Sequence, residues 1–442
     1  MSLISKIIIF VKKQIVDITT YGSPELLRKF YLLIKAFFII PFYVIAIVPC
    51  VIIRLVSPWF IIRILRLPAE NFGDFVQFTA MFYCKKKLNI DQPKKKHLDL
   101  VYIHYKDKVF NKQLAKMWKR KLNFLSGYLL HPISVLIKLI PGWKIHSLEY
   151  LYNQRVRNID DLLAECQPLE FTVKEEIYGQ DKLKEFGLKN KDKFVCLDVR
   201  DNTYQLKKIP ARYRNWSYHD YRHTDINKFL LAAEELTKRG YYIFRMGVIA
   251  EKPFISNNPK IIDYANSDLR SDFMDIYLGA KCSFCITTAT GFQDLPCLFR
   301  KPMAQLCVPV GHLFTYKERF ILITKHHILK KEKRRLSLSE IFTHGLAYVD
   351  DSKIFEQKGI ELVENTKEEI KDLVMEMVEN LESNKKLNSE DEKLQATFRS
   401  LYASNIKRYT YQKEKNNPTI LHDQIKSSFS TKFLRENKNW LR

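Results

Sequence analysis

FVCLDVRD (194–201), YYIFRMG (241–247), SDFMDIYLGAKCSFCITTATGF (271–292) and LPCLFRKP (295–302) decide the fold of this chain. Each contains a short apolar run that ends in charged, hydroxyl-bearing or small residues. Helical stretches separate them: Asp225–Arg239 has apolar residues at helical spacing, stops at Gly240, and is followed at once by the strand Tyr241–Phe244. Strands that alternate with helices in this way predict an α/β fold. In an open α/β sheet, ligands bind beyond the carboxyl ends of the strands. Arg200, Arg245 and the Thr287–Gly291 loop are therefore expected to line one crevice. Two arginines and a helix N-terminus facing a common cleft suit a phosphorylated ligand.

At 442 residues the chain is too long for one ordinary domain, and two α/β domains with extensions are expected. Ile61–Leu67 reads as the first strand, PAENFGD (68–74) as a loop, Phe75–Lys86 as a helix and Leu98–His104 as the second strand of a β-loop-α-β unit. A helix follows around Lys112–Lys121, whereas Ile133–Ile145 shows no assignable period. Thr172 and Glu175 form a capping box that opens a helix stopping at Gly187, and this helix is expected to end the first domain. Thr366 and Glu369 form a second box, after which Ile370, Leu373, Val374, Met377 and Val378 share one face. The expected division is 1–58, 59–187, 188–382 and 383–442, the last a surface connection, a helix over Leu394–Ile406 and a loosely ordered basic tail.

The balance of 73 Lys+Arg against 49 Asp+Glu, a net charge of +24, calls for an anionic partner. No zinc finger or RNA-recognition signature accompanies the basic clusters, so nucleic acid is not the expected partner. The apolar N-terminus points to an anionic membrane surface instead. Ala36–Ile53 (AFFIIPFYVIAIVPCVII) is eighteen residues without a charge, the lower limit for a spanning helix. Pro41 and Pro49 lie inside it, and Arg28, Lys29 and Lys35 before and Arg54, Arg63 and Arg66 after flank it on both sides. A re-entrant or interfacial hairpin accommodates the prolines and the charges together. Upstream, Leu3–Ile18 with Lys6, Lys12 and Lys13 reads as a surface-lying amphipathic helix. Eight cysteines at irregular spacing, Cys282 and Cys285 among them, read as reduced core residues and predict a cytoplasmic setting.

Candidate site residues follow from the strand-end rule. Asp198 and Arg200 lie two apart on a strand and so on one face, where the planar fork of Arg200 suits a diphosphate. Arg245 ends the next strand, and Gly247 permits close backbone approach to a ligand. Ser271 and Asp272 open a helix and could accept hydrogen bonds from a sugar or base. Thr287, Thr288, Thr290 and Gly291 join a strand to a helix as a candidate phosphate cradle. Arg212, Arg214, His219, Arg222 and His223 crowd an aromatic-rich loop, and one or two of them could reach a ligand. There is no Walker lysine pattern and no Asp-x-Asp, so no metal and no cofactor is expected, and electrostatics from Arg and helix dipoles would stabilise a leaving diphosphate.

The succession VCLDVRD, DINKFLLAAEELTKRGYYIFRMG, IIDYANSDLRSDFMDIYLGAKCSFCITTATGF and GIELVENTKEEI resembles an uncharacterised family of bacterial glycosyltransferase-like proteins. The resemblance spans roughly residues 60–380; in the first half only RILRL (63–67) and NKQLAKMWKRKL (111–122) carry it. It implies a GT-B-like fold, two Rossmann-like domains facing a cleft, here with an N-terminal membrane-associated helical segment. Members of that family commonly carry His where this chain has Asp198, so no imidazole chemistry is implied at that position. The expectation is a glycosyltransferase at the cytoplasmic face of the inner membrane, moving a sugar from a nucleotide-sugar donor to a surface-polysaccharide or lipid-linked acceptor. Arg200, Arg222, Arg245 and the Thr288–Gly291 loop would hold the donor; Glu70, Asp74 and Asp198 are the candidate catalytic carboxylates. The alternatives are a catalytically inactive sugar-nucleotide-binding or scaffold protein of envelope polysaccharide assembly, and a basic nucleic-acid-binding protein.

Overall fold

The computed structural model describes residues 3–148, 160–201, 203, 217–250, 252–306, 308–313, 319–383, 387–408 and 425–442. The chain forms two compact units. The first comprises Met1–Leu67, Pro93–Asp107 and Leu122–Glu149; the second comprises Pro68–Gln92, Lys108–Lys121 and Tyr150–Arg442.

In the first unit, β1 (Ile61–Leu67) and β2 (His97–Ile103) pair in parallel, from Ile61 opposite His97 to Leu67 opposite Ile103. Isolated bridges from Ser147 to Ile64 and from Phe124 to Val101 flank them. Arg63 and Asp99 are cross-strand partners, and the guanidinium donates to both carboxylate oxygens at 2.6 and 3.0 Å. A charge buried this deeply is tolerable only when paired and hydrogen-bonded, and the two-pronged geometry meets that requirement.

Helices Leu3–Tyr21 and Ser23–Val56 precede β1, joined at Gly22, whose φ of 70° lies in the left-handed region that favours glycine. The hairpin expected within Ala36–Ile53 does not form: the second helix runs 34 residues through both Pro41 and Pro49. Two missing amides weaken the ladder locally, but packing on one side carries the helix through. Ala46, Cys50 and Ile53 pack with Leu130 and Ile133 of the helix Gly127–Leu136 and with Ile64 and Tyr102. Many other described side chains of the long helix are exposed, with Phe37 at 71%, Phe38 at 68%, Val44 at 61% and Val48 at 62%. Within it, Phe37–Val56 is long and apolar enough to cross a membrane.

The second unit is built on a seven-stranded parallel sheet. Its strands are β3 (Lys193–Asp198), β4 (Tyr241–Arg245), β5 (Ile261–Ile262), β6 (Phe284–Thr287), β7 (Met303–Leu306), β8 (Phe320–Ile323) and β12 (Ser428–Phe429). A small antiparallel sheet holds β9 (His326–Leu329), β10 (Arg334–Arg335) and β11 (Ile360–Val363). The parallel order is β12-β8-β7-β6-β3-β4-β5. The chain starts in the middle, winds outwards through β4 and β5, then returns to the other side of β3 and winds outwards through β6, β7 and β8. Such doubly wound sheets have a switch point where the winding reverses. Here it lies between β3 and β6, where Asp198 is the register partner of Thr287. Both capping boxes form as read, Thr172 with Glu175 and Thr366 with Glu369.

Two expectations are corrected. The boundary expected between 187 and 188 does not divide the compact units, because helices from the first half of the chain join the second unit. Phe72–Lys87, Lys112–Lys119 and Val173–Glu185 all belong to the second unit. Specific contacts hold them there: Phe72 stacks on Phe292 with centroids 6.3 Å apart, Asn111 donates to the Asp272 carbonyl at 2.9 Å, and the Arg120 guanidinium donates to Glu175 at 2.8 Å. The C-terminus is likewise no loose tail. After the helix Ser389–Arg408, β12 extends the parallel sheet beside β8, and Phe429, Phe433 and Trp440 pack on Phe398 and Tyr402 in the core. Residues 409–424 lie outside the described residues.

Candidate functional site

Strand β3 ends at Asp198 and β6 at Thr287, side by side at the switch point. The loop after β6 is tied to the end of β3 by a continuous set of hydrogen bonds. The Thr288 amide donates to the Asp198 carbonyl at 3.1 Å, and the Arg200 amide donates to the Thr288 hydroxyl at 2.8 Å. The Thr287 hydroxyl donates to Asp198 Oδ2 at 3.3 Å while accepting the Ala289 amide at 3.2 Å. The Thr290 hydroxyl donates to the same carboxylate oxygen and accepts the Phe292 amide at 3.0 Å. Ala289 adopts φ +60°, so the loop reverses between the two threonines in a left-handed conformation unusual for alanine. Every hydroxyl in Thr287-Thr-Ala-Thr thus has a structural task, and together they fix the backbone of the loop.

Asp198 is buried. Burial pushes its carboxyl up to about 6, and the two threonine hydroxyls and the nearby arginines only partly oppose that rise. Arg200 is half-buried, and burial together with the neighbouring Arg222 lowers its guanidinium to about 10. Arg222 in turn donates to the Ala289 carbonyl. Lys325, two residues beyond β8, is also buried and donates to the Tyr221 carbonyl at 3.1 Å and to the His223 carbonyl. Arg222, Thr288 and Lys325, with Thr224, Leu306, Val308 and Asn365, line a small, shallow recess at the carboxyl ends of β6, β7 and β8. Like charges held near one another in low dielectric are stabilised by an anion. A fixed, glycine-containing loop with cations around it is a phosphate-binding arrangement.

Of the residues predicted from sequence, Asp198, Arg200, Arg222, Thr287, Thr288 and Thr290 are brought together here. Arg245 is not presented as expected. It is 3% exposed, and its guanidinium faces Asp263 at 3.2 Å and Asp201 at 3.8 Å, so two carboxylates engage it from inside the fold. Gly247 takes φ 150°, and its carbonyl accepts from Arg270 at 3.1 Å; Arg270 also pairs with the buried Asp275 at 2.6 Å. Ser271 caps the helix Asp272–Lys281 through the Met274 amide, while Asp272 Oδ2 accepts the Lys112 amide at 2.7 Å. Both side chains are therefore engaged, Ser271 in capping its own helix and Asp272 in holding the start of the helix Lys112–Lys119. Asp74 is exposed and accepts from Asn71 at 3.2 Å, and Glu70 is half-buried. Glu70 lies just before the helix Phe72–Lys87 and Asp74 in its first turn, and this helix start abuts the switch-point loop, since a Cβ placed on Gly73 would lie 3.0 Å from Gly291 Cα. Arg212 and Arg214 lie outside the described residues, as does the His219 side chain.

Sequence reading missed Lys325, and also Gln293, whose Oε1 accepts from Gln305 at 3.1 Å beneath Thr287. The signal for Lys325 was present: it follows the apolar run Phe320–Ile323 at a strand end, the placement that singled out Arg200.

No known family model and no curated protein matches this chain. Among solved structures, a family 9 glycosyl transferase from Veillonella parvula DSM 2008 is similar at 13% identity and a TM-score of 0.37, over 59% of this chain and 85% of that one. The ADP-heptose LPS heptosyltransferase II of E. coli is similar at 14% identity and a TM-score of 0.35, over 59% of this chain and 90% of that one. Likenesses at such TM-scores establish no shared function, and the functional reading rests on the switch-point site.

Proposed function

We propose that this protein is a glycosyltransferase whose nucleotide-sugar donor binds at the switch point between β3 and β6, with a surface-polysaccharide or lipid-linked glycan as acceptor. One observation carries the reading: Arg200, Arg222 and Lys325 surround the fixed Thr287–Gly291 loop at the carboxyl ends of a doubly wound parallel sheet. That is where such sheets bind nucleotides, and the cations suit a diphosphate. In sugar transfer from a nucleoside diphosphate, the bond from the anomeric carbon to the diphosphate breaks and negative charge grows on the departing oxygen. Arg200 and Arg222 would stabilise that charge as donors already held in place, without a metal ion. Glu70 and Asp74, at the helix start beside Gly291, are the carboxylates proposed to take the proton from the acceptor hydroxyl.

The proposed location is the cytoplasmic face of the inner membrane, supported by the exposed apolar surface of Ser23–Val56 and the net charge of +24. Attachment there would set the enzyme beside a lipid-linked acceptor. The test is calorimetric titration of full-length protein in detergent with UDP, GDP, ADP, CMP and dTDP. Saturable binding of one nucleotide, weakened in Arg200→Ala, supports the reading. Folded protein that binds none of them, and turns over none of their sugar conjugates, would overturn it.

A further inference from the structure

In the first unit the helices Ser23–Val56 and Gly127–Leu136 lie side by side and run in the same direction. Phe42 meets Tyr128 at 5.6 Å between ring centroids, and Tyr43 meets His131 at 6.4 Å. Further along, Cys50 Sγ donates to the Ile133 carbonyl at 3.5 Å and Arg54 Nε to the Pro141 carbonyl at 2.8 Å. Together the two helices cover one face of the β1–β2 sheet. Alternation and register put Ile62, Ile64, Leu100 and Tyr102 on that face, and all four pack in the cluster that holds Ala46, Cys50, Leu130 and Ile133. Each helix thus has an inner side on the sheet and an outer side. On the long helix Val48, Ile52 and Leu55 form one exposed stripe opposite Ala46, Cys50 and Ile53. On its neighbour, and the 3₁₀ turn Ile137–Leu139 that continues it, Val135 and Leu139 are exposed opposite Leu130, Ile133 and Ile137.

Residues suited to a membrane–water boundary bound the outer side. Lys35 precedes the uncharged stretch 36–53, and beyond its other end Trp59 is 77% exposed. Lys138 Nζ stands 6.0 Å over the Trp143 ring, and Lys144 is exposed beside it in sequence. Tryptophan marks the headgroup level, and lysine complements anionic headgroups. The inner side decides how this layer meets a bilayer. Phe42 to Arg54 is about 18 Å of helix, and the sheet accompanies it at Ala46, Cys50 and Ile53. Were the helix to cross, that sheet would stand in hydrocarbon, with the Arg63–Asp99 ion pair on its far face and unpaired backbone groups along its edges. Lipid does not tolerate open sheet edges.

We propose that this two-helix layer lies along a single leaflet of an anionic membrane, its outer side in lipid and its sheet in water, so that the long helix does not cross. This rests on the membrane attachment proposed above and adds the second helix, Gly127–Leu136, to the surface that makes it.

The test is labelling of full-length protein with a membrane-impermeant maleimide in sealed inside-out inner-membrane vesicles. Ser23→Cys places a thiol at the start of the long helix, on the far side if that helix crosses; Lys331→Cys, in an exposed turn of the second unit, is the reference. The native cysteines among the described residues are buried, and the unmodified protein supplies the background. Both variants should be labelled to the same extent without detergent. Ser23→Cys labelled only after detergent would overturn the single-leaflet layer and leave attachment standing, whereas protein missing from the membrane fraction would sink attachment itself. A second readout addresses the second helix. Val135→Glu with Leu139→Glu should lower the fraction that floats with phosphatidylglycerol vesicles severalfold while keeping the thermal unfolding transition, and Val135→Ile with Leu139→Phe should float as before. Flotation unaffected by the two glutamates would overturn the proposal, as would unmodified protein that forms a dimer and does not float, a second copy then covering the face.

Discussion

Gly73 and Gly291 face one another backbone to backbone: a Cβ on Gly73 would fall 3.0 Å from Gly291 Cα, and a Cβ on Gly291 would fall 3.2 Å from the Gly73 amide nitrogen. This contact seats the start of the helix Phe72–Lys87, with Glu70 just before it and Asp74 in its first turn, against the loop carrying Thr288 and Thr290. The same Cβ on Gly73 would come within 2.5 Å of Asp294 Oδ2, closer than real atoms allow. Gly73→Ala should therefore push the helix start and the loop apart and cost about 1–3 kcal/mol, the usual range for overpacking. The expected signature is a lowered unfolding midpoint together with weaker nucleotide binding. An unchanged affinity in the destabilised variant would show that this seat does not shape the donor site.

The cations around Thr288 make different contacts, which predicts a graded series. Arg200→Ala and Arg222→Ala each remove a charged donor, worth about 1.5–3 kcal/mol when its bond to an anion is lost. Nucleoside diphosphate affinity should fall by about one to two powers of ten in each. Thr288→Val removes the acceptor that holds the Arg200 amide at 2.8 Å, and should weaken binding less; Thr288→Ser should restore it. Isothermal titration reads all four. Equal affinity in Arg200→Ala and the unmodified protein would move the phosphate site elsewhere.

What could be read from the chain and what could not divides along physical lines. The strands of the second unit are buried on both faces, so they appear as apolar runs such as VCL (195–197) and FCI (284–286), and their charged ends mark the crevice. Arg200 and the Thr287–Gly291 loop follow from that pattern, whereas Arg222 was legible only as one of several basic residues in an aromatic-rich loop. Arg245 has the same local signal but a different fate, because Asp263 and Asp201, distant in sequence, fold back onto it. The unit boundaries are invisible for a related reason: nothing local says that Phe72 will stack on Phe292 or that Asn111 will find the Asp272 carbonyl. Strand β12 escaped notice because two residues, Ser428 and Phe429, carry no periodicity.

Asp198 predicts a pH dependence whose sign can be worked out. Its folded pKa, about 6, lies above its ordinary value of 3.8, so the native state holds the proton more tightly than the unfolded chain. The contribution to stability is complete below about pH 4 and is lost as pH rises through about 6, a tenfold difference in proton affinity being worth about 1.4 kcal/mol. Asp275 is raised to about 6 by burial as well and titrates in the same window. Glu175 and Glu340, lowered to about 2, have the opposite sign, but their effect is spent above about pH 5. Between pH 5 and 6.5 the two aspartates therefore make stability fall as pH rises, while His327, lowered to about 4 by burial, and His146 and His223, also lowered by burial, act in the opposite sense. Asp198→Asn should make the slope of stability against pH more positive across this window, and Asp198→Asn with Asp275→Asn more positive still. A slope unaltered by both substitutions would place the titrating groups elsewhere.

The bare face of the helix Ser23–Val56 makes the last prediction. Val44 and Val48 are 61% and 62% exposed and one turn apart, so they share a face pointing away from the packing of Ala46, Cys50 and Ile53. Phe37–Val56 has 20 residues, which at the helical rise spans about 30 Å, the thickness of a bilayer's hydrocarbon core. If lipid covers that face, a lysine at its centre is penalised by about 2.5–3.5 kcal/mol. Two such charges should shift Val44→Lys with Val48→Lys from the vesicle-bound to the soluble fraction in a flotation gradient. Val44→Leu with Val48→Leu should float as before. Because the substituted side chains face outwards, the lysine variant should keep its thermal unfolding transition and its response to nucleotide. Flotation undiminished by the two lysines would mean that this face does not contact lipid, and the attachment would then have to be sought on the other apolar surface, around Leu125, Leu129 and Leu139.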